Sequence, residues 1–430
     1  MNKKKTIKAV LIIWIFAMLI TFSIDHHILY SAEKTYDDIQ KHMRLFSDAF
    51  VLIQENYVEE ISVKDLVYGA MKGIVSKLDP YSQFMEPDVA KVVKSDTEGE
   101  FGGLGIRITS RGEYITIVTP LPDTPAFRVG IMPHDKIINI DGEDAKGLTL
   151  RDAVKKLRGE KGTEVVLSIA RDGEDELLEF TIVRDIIVPR KVFSNMLKGE
   201  IGYIRLVEFT DDAPDKFKKA LIELIDAGAH GIVFDLRNNP GGLLSAAVEV
   251  AGFFVEKGEL IVYTKGRRVD QNRKFTARKT PVNTELPMVV LINKGSASGS
   301  EIVAGCIKDL SRGIIVGEQS FGKASVQSLI DLEDGSSLKL TTAKYYTPAG
   351  VMIHEKGIEP DIEVLVSKEV RRQLAEQQEE ILNLSEEERK KREAEKITDP
   401  QIMRAHDILV ARKIFLKNAE KGQEENSEQE

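Results

Sequence analysis

The chain has 430 residues, 42% of them hydrophobic and 30% charged. That length exceeds what one ordinary core organises and predicts two or three folded units of globular type. The net charge of −9 excludes a nucleic-acid binder, which needs a basic face, and the single cysteine, Cys306, excludes a disulfide framework or thiolate metal cluster.

Lys3, Lys4, Lys5 and Lys8 precede an apolar run from Ala9 to Ile24, softened only by Thr21 and Ser23. At about 1.5 Å per residue, such a helix is near the lower limit for crossing a hydrocarbon core. Residues 1–32 read as a basic N-terminus and uncleaved signal anchor, with the transmembrane part at 9–24. The alternative is a cleaved signal peptide, but the candidate site Tyr30-Ser31-Ala32 puts a tyrosine where a small residue is needed. The basic flank directs the rest of the chain outside the cytoplasm. A membrane anchor with an extracytoplasmic body is therefore expected, or a secreted protein if the segment is removed.

Residues 33–83 read as a helical region. Leu45, Phe46, Ala49, Phe50, Ile53 and Tyr57 recur at three- and four-residue spacing. A second helix opens after Ser62, with Asp65 three residues on, and ends at Asp79-Pro80. Residues 84–186 read as short strands: Phe101 to Thr109, Glu113 to Thr119, Asp135 to Ile140, Glu164 to Arg171 and Glu176 to Arg184, with one helix from Thr149 to Arg158. Residues 187–366 alternate strand and helix, implying a largely parallel, helix-covered sheet. The expected strands are Ile201 to Phe209, Gly231 to Arg237, Met288 to Ile292 and Ile314 to Gly317. The expected helices are Asp212 to Ala227, Leu243 to Val255 and Gly299 to Leu310, and Asp334-Gly335 reads as a hairpin turn. Residues 367–430 form a charged tail. It holds a solvated helix or linker, an amphipathic stretch from Ile402 to Leu416, and an end, Glu420 to Glu430, too polar to fold.

The segment Gly295-Ser296-Ala297-Ser298-Gly299-Ser300-Glu301 lies between a buried strand and a helix. Small neighbours let the backbone turn sharply at Ser298, and a hydroxyl at a helix N-terminus feels the positive end of the dipole. Ser298-x-x-Glu301 is equally a capping box, the commoner reason for such a serine. The histidines are poorly placed to serve as its base, and only His354, after a turn, could come near. Their spacing gives no zinc motif. A neutral lysine is the other option. Lys323 follows the strand Ile314 to Gly317 at the edge where parallel sheets gather their chemistry. Bringing such an amine from about 10.4 to near 7 costs about 4–5 kcal/mol, which burial can supply. Gln327, four residues on, falls on the same side of an extended segment. Asp235-Leu236-Arg237-Asn238-Asn239-Pro240-Gly241-Gly242 follows another buried strand. Alone it is a turn, although its glycine amides could form half of an oxyanion hole.

Together these motifs closely resemble the carboxy-terminal processing peptidases, or tail-specific proteases. The resemblance runs from about Phe46 to Val364 and returns at Asp399-Pro400-Gln401 with Arg404-Ala405. It is carried by Leu78-Asp79-Pro80-Tyr81-Ser82, Asp235 to Leu244, Ser296 to Gly305, Val316-Gly317-Glu318 and Phe321 to Gln327. It implies a multidomain α+β protein: a crotonase-like α/β peptidase core with an inserted PDZ-like domain, helical regions at both ends and the membrane anchor. It further implies Ser298 as nucleophile, Lys323 as base, Gln327 as the residue orienting Lys323, and the amides of Gly242 and Gly299 as the oxyanion hole. Many members have alanine where Gly299 stands. Phe101-Gly102-Gly103-Leu104-Gly105-Ile106 resembles a PDZ carboxylate-binding loop, whose amides capture a chain terminus while the bound tail adds as a strand. The expected partners are unfolded or tail-exposed proteins with apolar C-termini, a second copy of the chain and an adaptor protein; no cofactor, metal or nucleic acid is expected. Two other classes compete: an envelope scaffold with a relic core, and an acyl-CoA enzyme of crotonase type.

Overall fold

The computed structural model describes residues 37–382 and 399–427. The anchor expected at 9–24 and the linker between Ser385 and Lys396 lie outside the described residues. Among those described, no helix is long and apolar enough to cross a membrane. The chain divides into two units, Met1–Phe84 and Met85–Glu430.

The first unit contains a helix over residues 37–56 and a second over Val63–Val75. Ser62 starts the second by accepting the Asp65 N–H, as its spacing suggested. It stops before the loop in which one carboxylate oxygen of Asp79 receives the amides of Tyr81 and Ser82, each at 2.8 Å. Along the first helix, Ile39, Met43, Phe46 and Ile53 are exposed.

The second unit begins with a helix, Pro87–Glu98, that the sequence reading did not foresee. An antiparallel sheet follows, in the order Ile106–Arg111, Tyr114–Pro120, Lys136–Ile140, Glu164–Ala170, Leu178–Val183. Its inward residues, among them Ile115, Ile117, Ile137, Leu167 and Ile169, pack with Ala153 and Leu157 of the helix Leu150–Leu157. The alternation of apolar and polar residues along these strands is what a one-faced sheet requires. Ile106–Arg111 is an edge strand, so one of its hydrogen-bonding sides is not used within the sheet.

The expected single strand from Phe101 to Thr109 is two strands. Phe101–Gly103 pairs with Asp185–Ile187, and the chain turns at Leu104-Gly105 before entering the sheet. Gly105 has φ +76°, and a Cβ there would come within 2.2 Å of the Thr124 side chain. No other residue fits the turn. The break at Arg184 has the same origin, because Asp185–Ile187 leaves the sheet to pair with Phe101–Gly103.

The larger core is a six-stranded sheet ordered Val192–Leu197, Ile201–Leu206, Gly231–Asp235, Met288–Ile292, Ile314–Gly317, Ile362–Glu363. The first pair is antiparallel and the rest parallel. Helices Ala213–Asp226, Leu244–Gly252 and Gly299–Asp309 cover one face through Ile232, Phe234, Val290 and Ile292. The other face, with Ile201, Tyr203, Val233 and Leu291, packs on Ala405 and Leu409 of the helix Pro400–Ser427. Burial on both faces explains why Met288–Ile292 reads as an unbroken apolar run. The last helix runs to Ser427, beyond the point where the sequence was read as too polar to fold. Once the Ala405–Leu409 segment is anchored, each further residue extends an existing helix and meets no nucleation cost.

A second sheet pairs Ser325–Asp331 with Ser337–Tyr346, and the latter with Leu260–Gly266. The turn between the first two holds Asp334 and Gly335, the hairpin expected from that dipeptide.

Candidate active site

Ser298 caps the helix Gly299–Asp309 with φ 53° and ψ −110°. An ordinary N-cap lies in the extended region with negative φ, so capping alone does not account for this residue. A non-glycine backbone here carries strain of about 1–3 kcal/mol and persists only when its surroundings hold it. They do. The Ser298 N–H donates to Oε2 of Glu301 at 2.8 Å. Its carbonyl receives the amides of Glu301 and Ile302 at 2.9 and 3.0 Å and the Tyr345 hydroxyl at 3.0 Å.

Glu301, read from the sequence as a capping partner, reaches much further. Its buried carboxylate also accepts the Ser320 hydroxyl and the Gly322 amide at Oε1, both at 2.6 Å, and the Lys323 amide at Oε2, at 2.9 Å. Burial pushes its pKa up, and these hydrogen bonds oppose the rise. One carboxylate thus ties the backbone of Ser298 to that of Lys323. Tyr345 repeats the tie, since its hydroxyl also contacts the Lys323 carbonyl. Sequence reasoning missed both roles. Glu301 was visible in its motif, but nothing local marks Tyr345.

Lys323 is half-buried in the loop leading from Ile314–Gly317 into the strand Ser325–Asp331. Gln327 is the third residue of that strand. It is half-buried, and its Nε2 has no hydrogen-bond partner among the described residues. The ladder shifts register between Val326 and Gln327, opposite Ala343 and Thr341. Such irregularities re-aim side chains and gather at functional sites.

The glycine loop lies directly against Ser298. A Cβ on Gly241 would meet the Ser298 Cβ at 2.7 Å and the Gly299 nitrogen at 2.8 Å. Gly242, at φ +140°, would drive a Cβ to 2.3 Å from the Phe209 carbonyl. Neither the Gly242 nor the Gly299 N–H has a hydrogen-bond partner among the described residues. Asn239 fastens the two loops, for its carbonyl receives the Ala297 amide at 3.0 Å and the Ser300 hydroxyl at 2.9 Å. Phe101 to Ile106, the other expected binding segment, lies in the antiparallel domain, beside the edge strand.

Comparison with known proteins follows this division. The model of peptidase family S41 matches residues 200–364, and that of the PDZ domain matches residues 102–182. A third, described as the activating protease CtpB N-terminal domain, matches residues 17–89. A serine-type peptidase carrying a PDZ module is the class these domains define. The chain is 43% identical over 328 residues to a carboxy-terminal-processing protease of Bartonella bacilliformis, covering 75% of each chain. It is 38% identical over 340 residues to the carboxy-terminal processing protease CtpB of Bacillus subtilis, covering 77% of this chain and 68% of that protein. A solved structure, the photosystem II D1 C-terminal processing protease, is 31% identical, covers 74% of this chain and 92% of its own, and has a TM-score of 0.45. The chain belongs to the carboxy-terminal processing proteases of peptidase family S41.

Proposed function

We propose that this protease cleaves tail-exposed proteins by a serine–lysine mechanism. Ser298 Oγ attacks the scissile carbonyl while the neutral amine of Lys323 takes its proton, and Gln327 orients that amine. The oxyanion that forms accepts the amides of Gly242 and Gly299. The protonated lysine then gives its proton to the departing amine, and water attacks the acyl-enzyme to restore the serine. The observation that carries this reading is the strained Ser298, held by Glu301 in a hydrogen-bond set that also includes the Lys323 amide. The open edge of Ile106–Arg111, beside the turn at Leu104-Gly105, supports capture of a substrate C-terminus by strand addition, with carboxylate contacts from residues 101–106.

The division into a helical N-terminal region, a PDZ domain, a peptidase core and a helical tail, at the boundaries expected above, belongs to the same proposal. So do anchoring through residues 9–24, an extracytoplasmic site in the bacterial envelope, and an adaptor that delivers substrate. For a second copy there is an observation in favour. Ile39, Met43, Phe46, Phe50 and Ile53 repeat at alternating four- and three-residue spacing, the seam by which helices pair. Light scattering on the full-length chain and on Met43→Glu tests this; equal masses would remove the seam from consideration.

The catalytic test is digestion of an unfolded protein with an apolar C-terminus by the full-length chain, beside Ser298→Ala and Lys323→Met. Cleavage by the first alone is expected. Equal cleavage by Ser298→Ala would mean that the nucleophile lies elsewhere.

A further inference from the structure

Arg237 stands between the buried strand Gly231–Asp235 and the glycine loop ending at Gly242. Its guanidinium is buried and committed on three sides. Nε and Nη2 reach the two oxygens of Asp235 at 2.9 and 2.6 Å. Nη1 reaches Oδ2 of Asp399 at 2.8 Å and Oε1 of Gln401 at 2.9 Å. Tyr203 donates its hydroxyl to the same Asp235 carboxylate at 2.8 Å. Burial opposes the charge on Arg237, yet its carboxylate partners prevail and raise its pKa well above the ordinary value.

Asp399 and Gln401 come from a distant part of the chain. Oδ1 of Asp399 accepts the amides of Gln401 and Ile402, starting the helix Pro400–Ser427, while Oδ2 faces Arg237. Gln401 also donates from Nε2 to the Val364 carbonyl at 2.7 Å. Beyond Arg237, Asn239 donates to the Leu206 carbonyl and accepts the Gly241 amide at 2.8 Å, so the loop is carried rigidly from its base to the glycines.

We infer that Asp399 and Gln401 are positioning residues for peptide hydrolysis, acting through Arg237 to fix the loop that presents the Gly242 amide beside Ser298. The inference rests on the reading of Gly242 and Ser298 given above. It makes the helix Pro400–Ser427 a clasp on the oxyanion loop as well as a cover for the sheet. Neither residue touches substrate.

The test is Asp399→Asn in the full-length chain, because asparagine caps a helix as well as aspartate but removes the charge facing Arg237. Active sites are counted with a serine-reactive phosphonate, and kcat and KM are measured on an unfolded substrate. A displaced loop lowers kcat per titrated site by about tenfold to a hundredfold, with KM changed by no more than about twofold. Gln401→Met, which keeps the ion pair and the cap, gives a smaller fall of the same kind and serves if Asp399→Asn does not fold. Unchanged kcat per titrated site in the folded variants, or a loss confined to the number of titratable sites, overturns the inference and leaves a purely structural clasp. Ser298→Ala, run alongside, must be inactive. If it is active, the reading of the site has failed and this inference falls with it, a result distinct from a Ser298-dependent enzyme indifferent to Asp399.

Discussion

The Tyr345 hydroxyl sits between the carbonyl oxygens of Ser298, at 3.0 Å, and Lys323, one proton shared by two acceptors on different loops. The phenol is buried, and burial raises its pKa well above the ordinary value, so it stays a donor at every working pH. Tyr345→Phe keeps the ring and removes only this tie. Stability is expected to fall by about 1–2 kcal/mol, and kcat by about tenfold through the looser placement of Ser298 against Lys323. Urea unfolding and steady-state kinetics measure the two. Unchanged kcat would show that Glu301 holds the loops unaided.

Replacing Glu301 by glutamine is not conservative here. Four donors converge on the carboxylate, and an amide would turn its own N–H groups toward two of them. A loss of about 2–4 kcal/mol is expected from the unsatisfied groups. The raised pKa adds a pH signature. A carboxyl with a higher pKa folded than unfolded favours the folded state most at pH below its unfolded value, about 4.3. That advantage is lost as pH rises through the folded value. The stability gap between the wild type and Glu301→Gln should therefore narrow as pH is raised toward neutrality. A gap that widens instead would mean that the carboxylate is stabilised by its donors beyond what burial costs.

Two glycines of the site make opposite predictions. At Gly242 a Cβ would meet the Phe209 carbonyl at 2.3 Å in a backbone conformation only glycine adopts readily. Gly242→Ala should lower kcat on the order of a hundredfold or more, the scale for losing one oxyanion donor. At Gly299 the added methyl meets Phe209 Cδ2 at 3.0 Å and Ala247 Cβ at 3.4 Å, within a helix. Gly299→Ala should leave kcat within about threefold and gain up to about 1 kcal/mol of helix stability, less the cost of moving the Phe209 ring. Inactivation by the second change would show that Phe209 cannot yield.

If the 101–106 loop captures substrate tails as proposed, tail capture and bond cleavage should separate at Gly105. Gly105→Ala should spoil the turn against Thr124 and raise KM for a substrate with an apolar C-terminus by about tenfold or more, with kcat on a short internal peptide unchanged. Equal loss on both substrates would place the loop in the catalytic step itself.

The peptidase core was legible because its strands are buried on two faces. Met288–Ile292 and Ile314–Gly317 emerge at the residues their apolar runs suggested, and the helix Gly299–Asp309 starts where Ser298 and Glu301 predicted. The backbone strain of Ser298 was not legible, since nothing in Ser-Ala-Ser-Gly states a φ. The ties through Tyr345 and Asp399 were hidden for a different reason. They join residues far apart in the chain, and a buried tyrosine or aspartate reads locally like any other. Gly105 misled in the opposite sense, because a strand-like composition concealed a change of sheet partner.

The sheet's second face stays bare until residues near Ala405 and Leu409 exist to cover it. A chain emerging from the ribosome, or threading through a translocation channel, therefore carries its serine long before the element that closes the layer beneath it. On this order of assembly the protease ripens late. Most of its own length has been synthesised, and is there as polypeptide, before the layer that completes the peptidase core can form.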